Sequence, residues 1–259
     1  MRFGGIERLF GQGSLTTLAK AHVAVVGLGG VGSWAAESLV RSGIGTLTLI
    51  DLDDVCITNV NRQVHALEGS IGRSKTSAMA ARMALINPDC VIHVHNCFFT
   101  TSNAQDLLNP GYDHVVDAID SMSDKCVLVS ECQKRNVPLV VSGGVGGKRD
   151  PSCVQVAELG MATNDPLLKR LRRRLRQDFG YSRDLKQPFG CQAVYSTENP
   201  MFPWSDGRVC AEPEPNSSLT LDCASGFGTA GFLTGTFGFA AASEVVRKLL
   251  ESTPGHSHG

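Results

Sequence analysis

Apolar side chains recur along this chain with two periods. Four short apolar runs, "HVAVVGLGG", "TLTLIDLDDV", "HVVDAID" and "VPLVVSGG", predict strands, the first of them β-branched and read as a buried parallel strand. "CVIHVHNCF" alternates and predicts a strand. Between these runs, "VGSWAAESLVRSG", "SKTSAMAARMALINP" and "DKCVLVSECQKRN" carry apolar residues at helical spacing, with Gly43 and Asn87-Pro88 as stops. The alternation continues to about Gly147 and predicts a Rossmann-like, doubly wound α/β fold with a mostly parallel sheet. Beyond it, "PSCVQVAELG" and "CQAVYST" predict further strands. "DPLLKRLRRRLRQDFG" predicts a basic helix with Asp165 as N-cap and Gly180 as stop. Glu198 to Asp222 reads as an exposed loop, and a last helix runs to about Leu250. The expectation is a single domain over 1–259, with its core at about 20–147 and an extension of strands and helices at about 148–250.

One stretch complicates this picture. Cys223 to Ser243 holds no charge over 21 residues, a length that spans a bilayer. Its five glycines and three threonines dilute its apolar character, so a buried helix is expected, with membrane association as the competing reading. Net charge is −1, so any polyanion must be held by a local patch. The nine cysteines form no CxxC pair, and Met1 to Gly13 has no apolar leader segment. Free thiols, a cytoplasmic location and no zinc site are expected.

The chemistry gathers at the carboxyl ends of the predicted strands. Gly27, Gly29, Gly30 and Gly32 form GxGGxG between a strand and a helix, where backbone N–H groups approach phosphate. Asp51 ends the next strand, where a carboxylate accepts ribose hydroxyls. An NAD enzyme needs no more than this. It leaves unexplained Asp53, Asn59, Arg62 and Gln63 within "DLDDVCITNVNRQVH", Lys75 at a helix start, and Asp120 after a third strand. Cations beside a phosphate loop stabilise a leaving pyrophosphate, and Asp120 suits Mg²⁺. ATP is therefore the expected ligand. His65, Ser121 and Arg149 are candidates for positioning a substrate.

The linked motifs GxGGxG, "DLDDVCITNVNRQ", "GRSK" and "DAIDS" resemble the ubiquitin-activating enzyme superfamily, which includes the bacterial adenylyltransferases of molybdopterin and thiamine synthesis. The resemblance implies ATP with Asp51 on the ribose, Asn59, Arg62 and Lys75 at the phosphates, and Mg²⁺ on Asp120. It also implies a homodimer in which an N-terminal arginine, Arg2 or Arg8 here, reaches the nucleotide. The zinc cysteines of many members are missing. "RFGGIERLFG", "GGVGSWAAESLVRSGIG" and "DCASGFGTAGFLTGTFGFAAAS" are similar to one branch, the tRNA threonylcarbamoyladenosine dehydratases. That likeness implies ATP-driven cyclisation of the modified adenosine beside the anticodon, with a link to a cysteine-desulfurase system.

The residues point to RNA independently. Lys169, Arg170, Arg172, Arg173, Arg174 and Arg176 surround a stripe of Leu168, Leu171 and Leu175, with no acid between Asp165 and Asp178. Such a face binds RNA phosphates. Cys223 is a candidate reactive thiol. Two other readings compete: activation of the C-terminal carboxylate of a ubiquitin-like sulfur carrier, and a nucleotide-binding scaffold or NAD enzyme.

Overall fold

The computed structural model describes residues 2–184, 186–215 and 227–251. Two short helices, α1 (Gly4–Phe10) and α2 (Ser14–Lys20), precede β1 (His22–Val26), α3 (Gly30–Arg41) and β2 (Thr46–Ile50). There follow α4 (Lys75–Ile86), β3 (Val91–His95), α5 (Ala104–Leu108), β4 (His114–Asp117), α6 (Met122–Lys134) and β5 (Leu139–Ser142). The extension holds β6 (Val154–Glu158), α7 (Pro166–Asp178), β7 (Gln192–Ser196), β8 (Phe202–Pro203), β9 (Val209–Cys210) and α8 (Gly231–Glu251).

The main sheet has the order β3-β2-β1-β4-β5-β7-β6 and is parallel except for the last pair. This is the expected Rossmann-like sheet, extended on one side. Parallel register sets Val26 beside both Ile50 and Asp117. The chain therefore leaves β1, β2 and β4 at one edge, with Gly27, Asp51 and Ala118 side by side. Helices α3, α4 and α8 cover one face of the sheet and α5, α6 and α7 the other, each over its own apolar cluster.

Several elements differ from the sequence reading. α1, α2 and α5 have five to seven residues, too few for a helical period to show. Pro151–Cys153 is a 3₁₀ turn, so β6 starts three residues later than its apolar run. The first part of the expected loop after Glu198 contains the β8–β9 pair. Its last part lies outside the described residues.

Within the described part of the charge-free stretch, residues 227–230 are not helical, α8 begins at Gly231, and it packs along α3. Its glycines have a packing reason: a Cβ on Gly238 would stand 2.6 Å from the Cβ of Trp34 and 2.7 Å from the carbonyl of Val31. Small residues let the two backbones approach, and Phe237 then fills the core beside them. Among the described residues no helix is long and apolar enough to cross a membrane.

Two buried histidines make stability depend on pH. Burial holds both His65 and His114 at a pKa of about 4, and the cations Lys75 and Arg82 push His65 the same way. The unfolded chain binds these protons near pH 6.5, so between pH 6.5 and 4 it takes up protons that the fold excludes. Stability is expected to fall with pH over that window, by about 3 kcal/mol per histidine at pH 4. Neither ring nitrogen of His65 meets a partner among the described residues. Urea unfolding of a His65→Leu variant should show a flatter pH slope; an unchanged slope would refute this assignment.

Candidate functional site

The glycine loop leaves β1 at Gly27, whose φ of +88° is open to glycine alone at low cost. A Cβ here would lie 2.6 Å from the carbonyl oxygen of Ala118, and one on Gly32 would lie 1.8 Å from the carbonyl oxygen of Gly27. These two glycines let the loop cross the sheet edge. Gly30 abuts Thr234 of α8, where a Cβ would come within 2.7 Å of the side chain. Gly29 differs, because among the described residues a Cβ there meets nothing within 4 Å. It is the N-cap of α3, so the first backbone N–H groups of that helix open beside it. The structure thus divides the motif: three glycines permit close packing, and Gly29 leaves room for a ligand.

Asp51 braces this loop. One of its carboxylate oxygens accepts the N–H of Leu28 at 2.6 Å, and the other accepts the N–H of Asp53 at 2.8 Å. Burial raises its pKa, against the pull of Lys75 and the two N–H donors. Lys75, the first residue of α4, is buried and pairs with the exposed carboxylate of Asp53 at 2.7 Å. Loop, ribose candidate and cation therefore form one connected group.

Asn59 closes the 3₁₀ turn Ile57–Asn59, its side-chain oxygen accepting the N–H of Cys56 at 2.9 Å. The Arg62 guanidinium donates to the carbonyl of Thr58 at 2.6 Å and the side-chain oxygen of Asn61 at 3.2 Å. The Arg62 carbonyl accepts from Trp34 Nε1 at 3.1 Å and from the Thr234 hydroxyl at 2.9 Å. Helices α3 and α8 thereby hold the backbone that presents Arg62. Gln63 is buried, with its side-chain oxygen unpaired among the described residues.

The run "DAID" contains two acids of opposite character. Asp117 ends β4, fully buried, and pairs with the equally buried Lys125 at 2.8 Å. The same oxygen accepts the N–H of Ile119 at 3.0 Å, which shapes the turn leading to Asp120. Asp120 is exposed and forms no hydrogen bond among the described residues. Ser121 is the α6 N-cap residue, its hydroxyl 3.1 Å from that of Ser123. Arg149 is exposed, its backbone N–H held by the Glu198 carboxylate at 3.1 Å.

The sequence reading passed over some participants. Lys125 acts through Asp117, eight residues earlier, and Thr234 through Arg62, 172 residues earlier. Cys56 is exposed, and N–H and hydroxyl groups of Thr58 hold its thiol below the usual range; its place just before the 3₁₀ turn was the available signal. Cys223 lies outside the described residues. Among the described residues no cluster of three or more His, Cys, Asp or Glu side chains could hold a metal ion.

A parallel sheet with a glycine turn after β1, an acid after β2 and a cation-bearing helix behind it defines a nucleotide-binding α/β protein, and the chain belongs to the ThiF family, which matches residues 6–259. It is 48% identical over 250 residues to the tRNA threonylcarbamoyladenosine dehydratase of Escherichia coli, covering 96% of this chain and 93% of that protein. The dehydratase of Haemophilus influenzae is 46% identical over 251 residues, covering 96% and 94%. The E. coli enzyme solved in complex with ATP superposes with a TM-score of 0.85 at 43% identity, covering 96% of this chain and 94% of that one. The resemblance read from the motifs therefore holds along nearly the whole chain.

Proposed function

We propose that this protein is an ATP-dependent dehydratase acting on N6-threonylcarbamoyladenosine in tRNA, next to the anticodon. The observation that carries this reading is the near full-length likeness to dehydratases, one of them solved with ATP. The geometry supports it. Gly29 and the start of α3 offer N–H donors to phosphate, and Asp51 retains acceptor capacity for ribose hydroxyls beside Leu28. Asn59, Arg62, Gln63 and Lys75 flank the phosphates. Asp120, exposed and unbonded, suits Mg²⁺ held jointly with the nucleotide, since that ion commonly takes one or two carboxylates plus substrate phosphates.

In this reading the threonyl carboxylate attacks the α-phosphorus of ATP, and pyrophosphate departs. An atom of the same side chain then attacks the activated carbonyl, expelling AMP and closing the ring. Water is formally lost from the nucleoside, its oxygen leaving with AMP. Lys75 and Arg62 stabilise charge on the leaving group.

The homodimer belongs to the same proposal. Ile57, Val60, Phe232 and Phe239 are exposed apolar side chains near the turn bearing Arg62 and suit a surface covered by a second copy. Arg2 donates to the carbonyl of Ile86 at 3.0 Å, so Arg8 is the N-terminal arginine with a side chain to offer. A cysteine-desulfurase partner would meet Cys56 as the exposed thiol among the described cysteines.

The test is incubation with ATP, Mg²⁺ and tRNA carrying the modified nucleoside, followed by digestion and mass measurement. Loss of one water from that nucleoside is the expected result. An unchanged mass, with adenylate forming on a small sulfur-carrier protein instead, would overturn the proposal.

A further inference from the structure

Two aromatic side chains that belong to neither large apolar cluster meet at the carboxyl end of the sheet. Phe202 opens β8 and Phe227 stands just before α8. Their half-buried rings lie 5.3 Å apart and meet edge to face. Both are fastened to the loop that follows β5. Gly147 in that loop donates its N–H to the carbonyl of Gly228 at 2.9 Å, and its own carbonyl accepts the N–H of Met201 at 2.9 Å. A Cβ on Gly146 would stand 2.9 Å from the Cβ of Phe227, and one on Gly147 would stand 2.6 Å from the carbonyl oxygen of Met201. The two glycines thus admit the aromatic pair at close quarters, and the loop holds it from both sides.

We propose that Phe202 and Phe227 form a stacking platform for the adenine that carries the reacting side chain. This rests on the proposal that the substrate is a modified adenosine in tRNA. A base stacked within an RNA loop cannot enter a cleft. Enzymes that act on a base take it out of the stack and hold it on aromatic or apolar side chains. A π-face supplies such a hold for any base. Other aromatic side chains at this end of the sheet are committed or misplaced. Arg208 lies over the Trp204 ring, 4.7 Å from its centre, and Trp204 Nε1 donates to the carbonyl of Glu212 at 3.0 Å. Phe98 is exposed but follows β3, on the far side of Asp51.

The reach fits. The order β1-β4-β5 sets the loop after β5 one strand from the end of β4 and two from the glycine loop, about 5 and 10 Å at ordinary spacing. Four bonds of peptide-like geometry join N6 of the base to the carboxylate carbon, a span of about 5 Å. An adenine on the pair therefore extends its carboxylate over the end of β4, towards the glycine loop and the nucleotide phosphates. The approach fits too. The Asp165 carboxylate accepts the Gly144 N–H of this loop and the Leu168 N–H of α7, so the basic helix starts beside the same loop.

The experiment uses the full chain and two RNA hairpins that differ at one position, next to the anticodon. One carries adenosine there and the other an abasic nucleotide. Wild type should bind the adenosine hairpin about tenfold more tightly. A variant with Phe202→Leu and Phe227→Leu should bind both hairpins alike, at the wild-type affinity for the abasic one. Phe202→Tyr with Phe227→Tyr should keep the preference, because the π-faces remain. The single leucine variants, each expected to lose part of the preference, carry the test if the double variant does not fold. With tRNA bearing the modified nucleoside, kcat/KM for tRNA should fall about tenfold in the double leucine variant while the KM for ATP stays unchanged. A wild type indifferent to the missing base would overturn the platform, as would leucine variants that keep the preference. Loss of binding to a sulfur-carrier protein with the base preference intact would assign the pair to a protein and also overturn it. Dehydration by wild type is scored separately. If it occurs while the leucine variants keep the base preference, the platform fails and the function stands. If it does not occur while the preference depends on the two rings, the function fails and the platform stands.

Discussion

Replacing Lys125 with methionine is expected to cost about 3–5 kcal/mol of folding stability. Its ammonium and the Asp117 carboxylate are both fully buried, 2.8 Å apart. Removal of the cation strands a carboxylate in an apolar cluster that includes Val115, Cys126, Leu128 and Val141. One Asp117 oxygen already lacks a partner among the described residues, so the pair has little polar support in reserve. The loss is comparable to the whole stability of a marginal domain. A second change, Asp117→Leu in the Lys125→Met background, should recover most of it, because the stranded charge is then gone. Urea unfolding reads both effects. A loss below about 1 kcal/mol in the single variant would show that the buried charge finds another partner.

Asp120→Ala should do the reverse. Its carboxylate is exposed and unbonded among the described residues, so the unfolding free energy should change by no more than about 0.5 kcal/mol. Turnover of the modified nucleoside should fall about 10²–10³-fold, the usual effect of deleting one electrostatic contact to a reacting centre. RNA binding should not change, since the cations expected to hold RNA phosphates lie on α7 (Pro166–Asp178). Nucleoside mass measurement and the binding titration separate the two effects. Full turnover, or RNA affinity lost in parallel, would remove Asp120 from the nucleotide site.

These two acids stand three positions apart in "DAID", and their difference shows where sequence reading stops. The apolar run before them announces a strand, and acids at a strand end announce a site. Neither signal tells which acid points inward, because β4 ends at Asp117 and the chain then turns. Lys125, one turn into α6, decides it by supplying a buried counter-charge. The arginines of α7 divide in the same way. Their spacing around Leu168, Leu171 and Leu175 was legible as a basic amphipathic helix, and those leucines are buried as expected. The carbonyls of Leu159, Ala162 and Ser182 that claim Arg172 and Arg176 were not, since only folding brings them to the helix.

The sequence alone determined what is local: the strand and helix periods through Gly147, the glycine turn, the acid after β2, the N-cap of α7, and motifs linked tightly enough to carry a family resemblance. Those features repeat over a few residues and depend on backbone geometry that neighbouring side chains dictate. Tertiary structure decided what each polar group meets. It placed Thr234 on the carbonyl of Arg62, 172 residues away in the chain. It also paired Lys125 with Asp117 and laid the charge-free helix against α3 through Gly238. Burial and partner choice set the cost of every charge, and both depend on how elements pack against one another, whether they are neighbours in the chain, as with Asp117 and Lys125, or far apart, as with Arg62 and Thr234.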